Sequence, residues 1–117
     1  MFKLSSNAKI KGYTFERKIA DLFSKAWGVI FGRIPGSGNM SWKGDIQPVE
    51  LKEAAKNPFC IECKNQLRLS TLTWWTQTIE QADPIKKIPL LVFKISSKDD
   101  VVMLRLKDFL KIVESPF

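Results

Sequence analysis

The six residues Phe59-Cys60-Ile61-Glu62-Cys63-Lys64 constrain this 117-residue chain more than any other segment. The run is compact, mostly apolar and too short for an independent helix, so it reads as a strand that is buried at its start. Side chains alternate across a strand, which puts Cys60, Glu62 and Lys64 on one face. An acid and a base on one face of an otherwise apolar strand need neighbours that cover the strand and neighbours that use the charges.

Flanking periodicities supply both. From Tyr13 to Trp27, Phe15, Ile19, Leu22, Phe23 and Ala26 recur at helical spacing, and Gly28 follows as a stop. Phe15, Ile19, Leu22 and Ala26 share a stripe on that helix, and Glu16 lies about 100° from Phe15, at the stripe's edge. Val29-Ile30-Phe31 predicts a strand, and Pro35-Gly36-Ser37-Gly38-Asn39 a loop. Gly44 to Val49 predicts a second strand, and Glu50 to Asn57 a polar excursion with room for a helical turn. Ser70 is placed to cap a helix that ends at Ala82 before Asp83-Pro84, with Leu72, Trp75, Ile79 and Ala82 buried and Trp74, Gln77 and Gln81 opposite. Two strands, Pro89 to Ile95 and Val101 to Leu106, and a short helix over Lys107 to Val113 complete the chain. The order α-β-β-β-α-β-β-α implies an α/β layer fold with a central mixed five-stranded sheet flanked by helices. At this length a single domain spanning 1–117 is expected, with residues 1–11 as a flexible basic arm.

Charge and composition narrow the chemistry. Residues 1–44 carry eight Lys or Arg against Glu16 and Asp21, so nearly all of the +7 net charge lies in the first third. Such a gradient suits a protein that lays one region along a polyanion, although a solvated basic face has the same composition. There is no histidine, which excludes imidazole chemistry, and Cys60 and Cys63 alone are too few for a four-ligand zinc site. Their CxxC spacing points to opposite faces of a strand and suits two buried thiols. No apolar run is long enough to span a bilayer, and no apolar segment follows Lys3 as a secretory signal requires, so a cytoplasmic location is expected.

Carboxylate, lysine and hard-metal chemistry remain. Asp45 begins one predicted strand and Glu62 with Lys64 ends the next, so hairpin pairing brings the three together. Two carboxylates on neighbouring strands suit Mg²⁺, which keeps waters and accepts phosphate oxygens. Lys64 is then placed to orient a water or to offset developing negative charge. The plainer reading is a surface strand with a cross-strand ion pair worth under about 1 kcal/mol. Glu-x-Lys alone is a weak signal; its position at the end of an apolar strand and the glycine-rich loop before Asp45 strengthen it.

Glu16-Arg17, Arg33-Ile34-Pro35-Gly36-Ser37-Gly38, Gly44-Asp45-Ile46 and Ile61-Glu62-Cys63-Lys64 stand in the order and spacing of a known group. Over roughly residues 9–106 the chain resembles the PD-(D/E)xK nuclease superfamily, with its restriction-endonuclease-like fold, and within it the archaeal-type Holliday junction resolvases and their small phage-borne relatives. The resemblance implies a Mg²⁺-dependent homodimer, with Mn²⁺ able to substitute, that makes paired nicks in four-way DNA junctions and leaves 5′-phosphate ends. It implies metal ligation by Asp45, Glu62, the backbone carbonyl of Cys63 and, directly or through water, Glu16, with Lys64 as the catalytic lysine. Ser37 matches a loop serine that assists cleavage, and Arg17 and Arg33 match basic residues near the scissile phosphate. Lys9, Lys11, Lys43 and Gln77 are further candidates for DNA contact. Gly44 departs from the pattern, because the superfamily is named for a proline there. A general or end-directed nuclease of the same fold, and a non-catalytic DNA-binding protein, are the alternative readings.

Overall fold

The computed structural model describes the backbone of residues 2–34 and 44–115, and the side chains of 11–34 and 44–115. The chain runs α1 (Phe2–Trp27), β1 (Phe31–Arg33), β2 (Ile46–Pro48), α2 (Leu51–Lys56), β3 (Phe59–Lys64), α3 (Thr71–Ala82), a 3-10 turn (Asp83–Ile85), β4 (Ile88–Lys94), β5 (Asp100–Met103) and α4 (Leu106–Glu114). The strands form one sheet in the order β1-β2-β3-β4-β5. β3 and β4 pair in parallel because α3 carries the chain back between them, whereas the other three pairs are antiparallel. This is a mixed five-stranded α/β layer architecture with helices on both faces, compatible with the restriction-endonuclease-like fold.

Strand alternation divides the core in two. Phe15, Ile19 and Ala20 of α1 pack on one face against Phe31, Ile46, Ile61, Cys63, Leu90 and Val92. Trp74 of α3 packs on the other against Leu91 and Phe93. Cys60 and Cys63 are buried and not disulfide-linked, as a pair of core thiols requires.

Several elements differ in extent from the sequence reading. α1 starts at Phe2 and not near Tyr13, so the backbone around Lys3, Lys9 and Lys11, expected to be a flexible arm, is helical. Gly28, at φ 72, closes the helix where expected by donating its N–H to the Ser24 carbonyl. On α1 the inward row is Phe15 and Ile19, both buried, and the partly buried Phe23, with Ala20 beside it; Leu22 and Ala26 of the expected stripe are exposed, because the helix presents the i, i+4, i+8 row to the sheet. The Val29–Phe31 strand is displaced to Phe31–Arg33, and the polar excursion holds the short helix α2.

The larger correction concerns α3. Its fully buried residues are Trp74, Thr78 and Ala82, while Leu72 of the expected stripe is 77% exposed. Thr78 donates its hydroxyl to the Trp74 carbonyl at 2.7 Å, which hides its polar atom and lets it serve as a core residue. Ser70 stands at the N-cap position, but its side chain makes no capping hydrogen bond. At the far end of the chain, α4 packs Ile112 against the α1-side core and turns Leu106, Phe109, Leu110 and Val113 outward, so an apolar stripe faces solvent. No helix among the described residues is long and apolar enough to cross a membrane.

Candidate active site

The candidate site forms where β1 ends, β2 begins and β3 ends. Ile46 pairs with Ile61, and continuing that antiparallel register sets Asp45 opposite Glu62. Backbone bonds fix Asp45 on both sides: its N–H donates to the Ile61 carbonyl at 2.7 Å, and its carbonyl accepts the Ile34 N–H at 2.9 Å. Its carboxylate is held as well, with Oδ2 accepting the Cys63 N–H at 2.7 Å. A short acidic side chain pinned by two neighbouring strands has little rotamer freedom left to lose when it binds something.

Gly44 explains how the turn lies so flat on β3. Its φ is +100, and a Cβ there would stand 2.9 Å from the Ile61 carbonyl oxygen and 3.3 Å from Cys60 Sγ. Proline, fixed near φ −65° and lacking an N–H, cannot adopt this conformation. The Gly44 N–H is also in use, donating to Gln81 Oε1 at 2.9 Å. The departure from the superfamily's proline is therefore part of how this chain builds its site.

Glu62 is buried and hydrogen-bonded to Asp45. Burial, then the charge of Asp45 and that hydrogen bond, push its pKa up to about 8, against the lowering influence of Lys64 and a hydrogen bond from Gln81. A buried carboxyl facing a half-buried one favours sharing a proton or accepting a cation. Burial also raises Glu16, and Arg33 opposes the rise: Arg33 Nε donates to Glu16 Oε1 at 2.7 Å. The Arg33 guanidinium in turn sits 3.9 Å above the centre of the Tyr13 ring. Glu16 feels the charges of Asp45 and Lys64, so all four residues singled out from the sequence belong to one electrostatic neighbourhood. The Cys63 thiol, buried beside these carboxylates, is held well above its ordinary pKa and stays protonated.

The donor set fits a hard cation with few protein ligands. Among the described residues no three His, Cys, Asp or Glu side chains gather closely enough to hold an ion alone. Glu62 is buried and Asp45 half-buried beside it, and Mg²⁺ characteristically takes one or two carboxylates and keeps waters. Glu16 stands beside this pair in an ion pair with Arg33.

The remaining candidates are dispersed. Arg17 lines a shallow surface depression with Thr14, Lys18, Asp21 and Lys25, and Lys11 is exposed one turn or more before it. Gln77 is exposed on α3. Gln81, one turn further on, is the residue that reaches the site; the sequence reading sets it opposite the apolar stripe with Gln77 and gives it no role there. Its signal lies in its four-residue spacing from Gln77, which apolar periodicity alone does not weigh. Ser37 and Lys43 lie outside the described residues, and Lys9 lies in helical backbone without a described side chain.

A mixed sheet between helices, with an Asp and a Glu-x-Lys converging from adjacent strands, defines the PD-(D/E)xK class of nucleases. Residues 7–115 match the family model described as "Phage putative PDDEXK endonuclease", and the chain belongs to that family. A comparison with curated proteins returned no match.

Proposed function

We propose that this protein is a Mg²⁺-dependent DNA endonuclease that acts on branched DNA and resolves four-way junctions by paired phosphodiester hydrolysis. The observation that carries the reading is the pairing of half-buried Asp45 with buried Glu62 on neighbouring strands, with Lys64 and Glu16 beside them. Asp45, Glu62 and the Cys63 carbonyl are the groups to hold the ion. When bound, Mg²⁺ supplies a more acidic water and offsets charge on the phosphate. Lys64 is placed on the same face as Glu62 to orient that water or to offset negative charge growing on phosphate oxygens. Glu16 supports the site from α1, directly or through water, once a phosphate draws Arg33 toward the DNA backbone.

Branched DNA as the substrate rests on the residue-level resemblance to junction resolvases and on the basic first third of the chain. A homodimer would present two sites for paired nicks, and the outward apolar stripe of α4 supplies a surface for it. The location we propose is the cytoplasm of a cell or phage-infected host.

Incubation with a synthetic four-way junction, linear duplex and single strand, with and without Mg²⁺, tests the proposal. Symmetric nicks confined to the junction are expected. Cutting of all three substrates would replace it with a general nuclease, and gel shifts without cutting with a binding protein.

A further inference from the structure

The last turn of α3 brings a neutral side chain into the carboxylate site. Gln81 sits between Thr78 and Ala82, both fully buried, so packing fixes the backbone from which its side chain extends. Its oxygen accepts the Gly44 N–H at 2.9 Å. With that oxygen engaged, its amino end is left to face the Glu62 carboxylate, whose ionised form it favours. One carboxamide therefore spans both sides of the site. Resting on the reading of Asp45 and Glu62 as a metal site, we infer that Gln81 is a positioning residue, whose carboxamide ties the Gly44–Asp45 turn to Glu62 and sets the separation of the two carboxylates before a cation arrives.

The requirement is chemically narrow. A residue here must accept at one end and donate at the other, at the reach of two methylenes. Methionine fills similar space and does neither; asparagine keeps the amide and falls short by a methylene. The Gly44 end is equally restricted, because an N–H is needed at φ +100 with no room for a Cβ. Gly44 and Gln81 thus form a matched pair, and a hydrogen bond does the stiffening that a proline ring would supply by covalent constraint. The bond's partners are 37 residues apart in sequence, so it also welds α3 to the turn.

The test compares wild type, Gln81→Met and Asp45→Asn. Calorimetric titration of the DNA-free protein with Mn²⁺ is expected to show binding about tenfold weaker in Gln81→Met, the usual scale for losing a residue that orients a ligand. Its melting temperature should stay near wild type, kcat on junction DNA should fall with KM unchanged, and exchange of the Gly44 amide proton should accelerate. Should Gln81→Met fail to fold, Gln81→Asn carries the same expectations. Wild-type Mn²⁺ affinity and kcat in a folded variant would overturn the inference. Asp45→Asn separates the two levels: Mn²⁺ binding unaffected by that change would overturn the metal reading itself, and the role of Gln81 with it.

Discussion

The two ends of the sheet are built from the same strands and have opposite characters. At one end Arg33, Asp45, Glu62 and Lys64 leave β1, β2 and β3 as a charged cluster that Glu16 joins from α1. At the other, Phe23, Trp27, Phe31 and Phe59 form an aromatic cluster, with contacting ring centroids 5.2 to 5.7 Å apart. The aromatic end buries large apolar area and anchors α1 to the sheet, while the charged end buries polar groups at a desolvation cost. Stability and chemistry are thus divided along the strands, a few residues apart.

That division predicts separable mutants. Asp45→Asn or Lys64→Ala should cut junction cleavage on the order of 10³-fold in single-turnover assays, with junction binding by gel shift largely kept. Wild-type cleavage by either variant would move the active site elsewhere. Phe31→Ala, at the aromatic end, should cost about 3–5 kcal/mol in chemical denaturation, with the Mn²⁺ affinity of the remaining folded protein unchanged. A loss of metal affinity there would mean that the two ends are coupled.

The pH dependence is a finer probe. With Glu62 raised from 4.5 to about 8, the native metal-free protein holds a proton between those values that the unfolded chain has released. Its unfolding free energy should therefore fall as pH rises from about 4.5 toward 8, and level off above. A bound cation must displace that proton, so metal affinity should climb as pH rises, by about tenfold per unit below 8. Melting curves with and without Mg²⁺ across this range check both signs. The smallest expected effect is that of Arg33→Ala, which should change stability by less than about 1 kcal/mol because the Arg33–Glu16 pair is largely solvent-exposed on the arginine side. Its larger consequence should be in KM for DNA.

How far the sequence reveals these features depends on which physical rule governs each residue. The convergence of Asp45, Glu62 and Lys64 follows from period-two alternation and hairpin pairing, which tertiary context seldom overrides. The helices on both sides of the sheet follow from apolar spacing. Gln81 stays hidden because apolar spacing alone sets the expected phase of α3, and Thr78 becomes a core residue only when its hydroxyl finds the Trp74 carbonyl. The same limit applies to Gly44: its glycine character announces freedom, but the positive φ and the long-range partner for its N–H depend on elements that meet only in the folded chain.

Replacing a ring with a hydrogen bond at Gly44 also alters when the site can fail. A proline stays rigid in any state of the protein, whereas the bond from Gly44 to Gln81 opens whenever the end of α3 lifts from the sheet. Local opening of helix ends requires less free energy than global unfolding. Thr78 and Ala82 bury the last turn of α3, so this opening needs α3 to undock, and exchange of the Gly44 amide in rising urea should report the docking of that helix.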